Sequence, residues 1–185
     1  NSIMLLNPIL GWAIGQNGTI LKTTNGGQKW DALTSGLSED LLSIYFIDSL
    51  FGWVVGKNGL ILNTTDGGQN WGQQTSGTNI FLSSVFFINK NTGWVAGGYP
   101  YEGVILHTTD GGMSWYHQLF GEFSHLESIY FVNNEVGWAV GYAGTILKTT
   151  NGGINWFTQS GNSIKWLFSV NFIDENVGWA VGNTG

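Results

Sequence analysis

Two aspartates stand at equivalent places of a repeated motif and invite an acid–base interpretation. Asp66 and Asp110 each follow a Thr-Thr pair and precede a Gly-Gly pair. Hydrolysis of a glycosidic bond requires two carboxyl groups roughly 5–10 Å apart. The other two copies of the motif, however, carry Asn25 and Asn151 at this position. Because an amide replaces a carboxylate as a hydrogen-bond acceptor but not in proton transfer, the position is predicted to be structural.

The motif has the frame T-T-[DN]-G-G-x-x-W and occurs four times. The Asp or Asn side chain can accept hydrogen bonds from backbone N–H groups just ahead of it, which closes a turn. The two glycines supply backbone angles that other residues adopt only at a cost. The tryptophan then lies on the returning strand, where it can bury a large apolar area. The predicted structural residues of these turns are Thr23, Asn25, Gly27, Trp30, Thr64, Asp66, Gly68, Trp71, Thr108, Asp110, Gly112, Trp115, Thr149, Asn151, Gly153 and Trp156.

The remaining candidate catalytic and metal-binding residues form no recognisable set. His107, His117 and His125 fall at different phases of the repeat and lack metal-ligand spacing, so neither a metal site nor a cofactor is expected. There is no cysteine nucleophile, no G-x-S-x-G sequence and no phosphate-binding loop. These absences predict that the segment is not an enzyme.

Composition excludes two classes of partner. The net charge is −6 and the six basic residues are all lysines that do not cluster, which argues against nucleic acid and anionic membrane surfaces. No apolar run approaches the roughly 20 residues of a membrane span, so insertion into a membrane is not expected.

A second landmark, the pair Gly-Trp, sets the repeat length. It occurs at Gly11, Gly52, Gly93, Gly137 and Gly178, at intervals of 41 or 44 residues. A period just above 40 residues with several short strands per unit is typical of propeller blades. In the second unit we predict strand A at 43–48, strand B from the Gly-Trp pair, a two-residue Asn-Gly turn, strand C at 60–64 and strand D from about Trp71.

The predicted fold is all-β, a β-propeller or partial propeller of four-stranded antiparallel blades. Residues 1–185 are expected to form one propeller segment with four complete repeats, at about 2–42, 43–83, 84–127 and 128–168, and the start of a fifth at 169–185. Both ends offer strands A and B. We therefore expect a segment of a longer ring, completed by further blades, or a ring formed by several copies of the chain as a homo-oligomer.

The T-T-[DN]-G-G-x-x-W turns resemble Asp boxes, the bacterial neuraminidase repeat. Together with G-W-[AV]-[VAI]-G and the sequence T-I-L-K-T-T at 19–24 and 145–150, the unit resembles the photosystem II stability/assembly-factor-like propeller repeat. Families with such repeats include sialidases, xyloglucan-cleaving glycosidases, sortilin-type receptors and photosystem assembly factors. The resemblance implies that a sialidase would need three arginines to hold its substrate, and that an assembly factor would use an Arg-rich patch. The chain contains no arginine, which excludes a sialidase.

Positions that vary while their neighbours repeat point to a binding surface. Leu41, Leu82, Leu126 and Leu167 recur and are predicted to be core, whereas the residues just before them share no chemistry. The D–A and B–C loops of a propeller lie on one face, and blade three carries the only insertion, within 98–103, in its B–C loop. The insertion contains two tyrosines, Tyr99 and Tyr101. Binding residues are often found on loops of a rigid scaffold, but these two side chains could equally serve only to cover a loose loop. The predicted ligand-binding residues are Asp40, Phe81, Tyr99, Tyr101, Glu102, Phe123, His125 and Trp166.

These observations favour a non-catalytic binding or scaffolding module that engages a protein or a carbohydrate through the face of the D–A and B–C loops. The resemblance implies an extracellular or cell-envelope location, with the periplasm or a lumen included. One alternative is a polysaccharide-active glycosidase, for which Glu102, Glu122 and Glu127 are the nearest candidate acids. Another is an assembly factor for a photosynthetic membrane complex.

Overall fold

A computed structural model of the chain describes residues 1–99, 102–120, 125–159 and 165–183. These residues form antiparallel sheets that follow one another along the chain, and each sheet is a simple up-and-down meander. There are four sheets of four strands and one of two, as predicted for propeller blades. Among the described residues, no helix is long and apolar enough to cross a membrane.

The strands of each blade occur in the order A, B, C, D. The first blade contains β1 (Ser2–Leu5), β2 (Gly11–Ile14), β3 (Thr19–Thr23) and β4 (Asp31–Thr34). The second contains β5 (Leu41–Phe46), β6 (Gly52–Gly56), β7 (Ile61–Thr64) and β8 (Gly72–Gln74).

The third and fourth blades repeat this order. The third contains β9 (Leu82–Phe87), β10 (Gly93–Tyr99), β11 (Glu102–Thr108) and β12 (Tyr116–Phe120). The fourth contains β13 (Leu126–Phe131), β14 (Gly137–Gly141), β15 (Ile146–Thr149) and β16 (Phe157–Thr158). A fifth hairpin contains β17 (Leu167–Phe172) and β18 (Gly178–Gly182).

Strand A begins two residues earlier than the sequence pattern predicted. In the second blade Leu41 pairs with Gly56 and Ser43 pairs with Val55, so one residue bulges out between them. The bulge turns Leu41 into the core, where it is fully buried. The strand ends at Phe46, and the Asp48 side chain then accepts hydrogen bonds from two backbone N–H groups in the A–B turn. The alternation of apolar and polar residues does not by itself reveal a bulge, because the extra residue moves the following side chains to the opposite face of the strand.

The B–C turns are of the tight type that the Asn-Gly pair predicts. In the second blade Asn58 has φ 58° and Gly59 has φ 69°. Two successive residues with positive φ define a type I′ turn, whose twist matches that of the flanking strands. Asn17 with Gly18, and Ala143 with Gly144, adopt the same conformation in the first and fourth blades.

The core lies between neighbouring sheets, and its main feature is a repeated aromatic stack. The strand-B tryptophan of each of the first four blades lies parallel to the strand-A phenylalanine of the next, with ring centroids 3.5–3.7 Å apart. In three of these interfaces the indole Nε1–H also donates to a carbonyl of the next blade's T-T-[DN]-G-G turn, at Gly67, Gly111 and Gly152. Because no single sheet could bury both of its faces, stacking of successive sheets provides the core.

The two kinds of turn lie at opposite ends of the blades. Each T-T-[DN]-G-G turn hydrogen-bonds to an A–B turn of its own blade, as in Gly67 N–H to the Leu50 carbonyl at 2.9 Å. The B–C turns instead meet the D–A loops, as in Gly59 N–H to the Ile80 carbonyl at 2.8 Å. The face of the D–A and B–C loops is therefore separate from the face of the T-T-[DN]-G-G turns.

Candidate functional site

The residue before each strand A is held in place by the B–C turn of its own blade. A backbone N–H of that turn donates to the carbonyl of Asp40 at 3.2 Å, of Phe81 at 2.9 Å, of His125 at 2.9 Å and of Trp166 at 3.0 Å. These are four of the predicted ligand-binding residues. One backbone contact thus fixes the position of each, whichever side chain it carries.

Three of the predicted residues lie together around one lysine. The Lys57 ammonium contacts the Asp40 carboxylate at 2.7 Å and lies 5.8 Å from the centre of the Phe81 ring. The Phe81 ring in turn packs against the Tyr99 ring, with centroids 4.9 Å apart. The hydrogen bond from Lys57 is the main reason that the pKa of Asp40 is lowered. The sequence analysis did not predict Lys57, in the B–C turn of the second blade, as a site residue. A single lysine before an Asn-Gly turn does not by itself indicate a binding site.

On either side of the insertion in the third blade, strands β10 and β11 are longer than the corresponding strands of the other blades. Strands β10 and β11 continue outward until Tyr99 pairs with Glu102. Both residues are partly buried. The hairpin formed by β10 and β11 therefore projects beyond the B–C turns of its neighbours.

His125 supports this projecting hairpin from beneath and is itself only 8% exposed. Its Nδ1 donates to the Gly98 carbonyl at 2.6 Å, while its Nε2 lies 3.0 Å from the Ser83 hydroxyl and 3.4 Å from the Glu127 carboxylate. Burial alone would lower the pKa of His125, but Glu127 and the Gly98 carbonyl outweigh it and the pKa is raised. With its polar atoms engaged in this way, His125 positions the hairpin and does not face solvent.

Trp166 lies further along the same face, away from the Tyr99 cluster. Its ring stacks on Tyr142 with centroids 3.8 Å apart and is 40% exposed. Tyr142 also contacts the His125 ring edge-on. The described candidates thus form a continuous row of contacts, with Asp40 at one end and Trp166 at the other. The predicted residues Tyr101 and Phe123 lie outside the described residues.

A groove of about 1110 Å³ opens between the second blade and the projecting hairpin. One wall is strand β8 with the D–A loop that follows it, and the other wall is formed by the third blade. Side chains with amide, hydroxyl, aromatic, carboxylate or imidazole groups line it: Asn58, Gln73, Gln74, Thr75, Ser76, Thr78, Asn79, Tyr99, Glu102 and His117. Ile80 also lines it, so the groove offers both polar groups and apolar surface. Its described residues carry little charge, and the Tyr99 ring lies at its edge.

The equivalent cavity one repeat earlier is smaller. Its volume is about 430 Å³, and it is lined by the B–C turn and strand start at 17–20 together with strand β4 and the loop after it, at 32–37. The larger space one repeat later coincides with the three-residue insertion. The sequence analysis identified the insertion. It did not identify the other wall, β8 and residues 75–80, because small polar residues are common in any surface loop.

The T-T-[DN]-G-G turns on the opposite face have the geometry of closed turns. Asp66 Oδ1 accepts the Asn70 N–H at 2.9 Å and the Thr64 hydroxyl at 2.8 Å, and Asn25 Oδ1 accepts the equivalent groups at 2.9 and 3.0 Å. Hydrogen bonds from Asn70 lower the pKa of Asp66 to about 2. A carboxyl group with so low a pKa is ionised at neutral pH and cannot act as a general acid.

Comparison with known proteins agrees with this architecture. Residues 32–122 match the model of the family described as photosynthesis system II assembly factor YCF48. The solved structure described as YCF48 bound to D1 peptide is 26% identical over 97% of this chain, with a TM-score of 0.66. YCF48 from Cyanidioschyzon merolae is 17% identical over 98% of the chain, with a TM-score of 0.72. An ancestral GH74 enzyme is 18% identical over 97% of the chain, with a TM-score of 0.81.

The chain is a β-propeller similar to the YCF48 assembly factors. It spans 53% of the YCF48 structure with the D1 peptide, 66% of the algal YCF48 and 27% of the GH74 enzyme. At 17% and 18% identity, the latter two similarities concern the fold alone. No curated protein sequence matches the chain significantly.

In this YCF48-like propeller the structure describes two of the three candidate acids of a glycosidase, Glu102 and Glu127. Glu102 is the only carboxylate among the described residues that line the groove, and Glu127 is engaged by His125. Glu122 lies outside the described residues. Within the described ranges, no group of three or more His, Cys, Asp or Glu side chains is arranged to hold a metal ion.

Proposed function

We propose that the chain is a non-catalytic binding module that holds a segment of a partner protein in the groove between its second and third blades. The observation that carries the proposal is the groove itself, about 1110 Å³ where the hairpin projects and about 430 Å³ at the equivalent place one repeat earlier. It adjoins Phe81, Tyr99 and Glu102, three of the residues that vary among otherwise repeated positions.

Two properties of the groove suit a peptide. Amide and hydroxyl side chains such as those of Gln73 and Asn79 can pair with a peptide backbone, and Tyr99 offers an apolar face to a side chain. A wall that already contains the outer strand β8 suits an extended segment. The YCF48 structure at 26% identity, described as bound to D1 peptide, supports a peptide rather than a whole folded partner.

Selection from a library of random linear peptides tests the proposal. We expect peptides that bind the wild-type chain to bind the Tyr99→Ala variant at least about tenfold more weakly, because the variant removes the aromatic edge of the groove. Tyr116→Ala is the matched control, since Tyr116 is 62% exposed and does not line the groove. Circular dichroism establishes that both variants are folded.

Three results would count against the proposal. Equal loss of binding in Tyr116→Ala would move the site elsewhere, and unchanged affinity of Tyr99→Ala would remove the groove from binding. If no peptide is selected while soluble cello- or xylo-oligosaccharides bind, the ligand is a carbohydrate. The same hydroxyls, amides and aromatic ring would serve that alternative.

We also propose a location outside the cytoplasm, extracellular or in the cell envelope, on the strength of the repeat family alone. Fractionation of the producing cells tests this, and recovery of the protein only in the cytoplasmic fraction would contradict it. A role in assembling a photosynthetic membrane complex is a narrower proposal. Capture of membrane-protein precursors by the wild-type chain, but not by Tyr99→Ala, would support it.

A further inference from the structure

Tyr99 and Glu102 face each other across the end of the projecting hairpin. Directly paired residues of an antiparallel hairpin present their side chains on the same face. Both side chains line the groove. An aromatic ring and a carboxylate are therefore neighbours at the edge of a cavity large enough for a peptide.

We propose that Tyr99 and Glu102 bind the side chain of a lysine or arginine on the partner peptide. The inference rests on the proposed function, because it specifies the chemistry of the ligand in the same groove. The carboxylate would pair with the ammonium or guanidinium group, and the face of the tyrosine ring would lie against the cation.

The same face already holds one lysine between a carboxylate and an aromatic ring. The Lys57 ammonium lies 2.7 Å from the Asp40 carboxylate oxygen and 5.8 Å from the centre of the Phe81 ring. Tyr99 and Glu102 lie beside this cluster, since the Tyr99 ring packs on Phe81. Among the described residues, no basic side chain makes a hydrogen bond or ion pair with Glu102. Its carboxylate therefore has room for a cation from a partner.

The electrostatics of the groove favour a basic group over an acidic one. Within the part of the chain that the structure describes, Glu102 is the only acidic residue that lines the groove, and no lysine lines it. The chain as a whole carries a net charge of −6. A cationic peptide is thus attracted at long range and finds one carboxylate at the site, whereas an acidic peptide meets repulsion and no partner.

The experiment uses the peptides selected on the wild-type chain. We expect them to share one lysine or arginine, and replacing that residue by norleucine should weaken binding about tenfold, because a charged hydrogen bond is lost. Against the Glu102→Gln variant, the lysine and norleucine peptides should bind equally well. Glu135→Gln is the control, because it removes the same charge from an exposed residue that does not line the groove.

The outcomes separate this inference from the proposed function. Peptides that need Tyr99 but bind equally well with lysine or norleucine would overturn the cation site and leave the peptide groove intact. Equal weakening by Glu102→Gln and Glu135→Gln would reduce the effect to net charge and would also overturn it. If no selected peptide depends on Tyr99, the proposed function fails and the cation site fails with it.

Discussion

At the scale of single residues, the four T-T-[DN]-G-G-x-x-W turns separate hydrogen bonding from acid–base chemistry. Asp66 and Asn25 use one side-chain oxygen in the same way, accepting a backbone N–H four residues ahead. A negative charge is therefore not needed to close the turn. In the second blade the carboxylate accepts one further hydrogen bond, from the Asn70 side-chain amide to the second Asp66 oxygen at 2.7 Å, and it makes the turn sensitive to acid.

The first prediction concerns that response. The folded-state pKa of Asp66 is about 2, below its ordinary value of 3.8, so ionised Asp66 stabilises the folded state above pH 3.8 and this contribution is lost as the pH falls towards 2. We expect the stability of Asp66→Asn to fall less than that of the wild type over that interval. At neutral pH the variant should be somewhat less stable, because it loses the hydrogen bond from the Asn70 side-chain amide to the second Asp66 oxygen. Urea unfolding at a series of pH values measures both.

The converse variant provides the matched control. Asn25→Asp places a carboxylate in the first turn and should introduce the same acid dependence there. Identical pH profiles for wild type, Asp66→Asn and Asn25→Asp would show that the side-chain oxygen does not carry the effect.

At the scale of the blade, a single glycine explains how a regular scaffold displays different side chains. The glycine four residues after the Gly of each Gly-Trp pair lies under the carbonyl of the residue before strand A in the second to fifth blades, as Gly56 lies under Asp40. A Cβ there would collide with that carbonyl. The glycine contacts only the backbone of the residue before strand A. The side chain of that residue can therefore differ from blade to blade while the glycine stays the same.

The second prediction compares two equivalent glycines. Gly56→Ala should destabilise the chain by about 1–3 kcal/mol, because the new methyl group must displace the Asp40 backbone. At Gly15, the same place in the first blade, a Cβ would meet only the Thr19 Cβ, at 3.8 Å, which is an ordinary van der Waals contact. Gly15→Ala should therefore change stability by no more than about 0.5 kcal/mol. Urea unfolding of the two variants measures the difference, and equal costs would refute the steric explanation.

At the scale of the whole molecule, stability comes from the contacts between blades. Trp12, Trp53, Trp94 and Trp138 are at most 4% exposed, because each is covered by the following blade. Trp179, their counterpart in the fifth hairpin, is 58% exposed. The same residue in the same strand is thus core or surface according to whether a neighbour stands beside it.

The third prediction uses this contrast. Trp94→Ala should cost about 3–5 kcal/mol, since it removes the stack on Phe131 and the hydrogen bond to the Gly152 carbonyl. Trp179→Ala should cost less than about 1 kcal/mol. Denaturant unfolding of both variants is the measurement, and a large loss in Trp179→Ala would mean that its ring is covered in solution, as a ring of several copies would require.

The repeat, the order of strands in each blade and the tight Asn-Gly turn of the second blade were all determined by the sequence alone. These features depend on local signals, namely the Gly-Trp period, the Asn-Gly pairs and the T-T-[DN]-G-G frame, each of which acts within a few residues. The assignment of 1–185 to one segment with its unit boundaries, and the roles of the site residues, stay predictions.

Only the tertiary structure showed which of the predicted ligand-binding residues contact one another and which are accessible to a ligand. It pairs Lys57 with Asp40, buries His125 beneath the hairpin and opens the groove beside Tyr99. The spacing of residues along the chain predicts none of these three contacts. They depend on how neighbouring blades pack and on how far the β10–β11 hairpin extends past the B–C turns beside it. The strand register that sets this extension is fixed by pairing between strands, and the groove by the distance between two sheets, so both arise only when the blades are packed together.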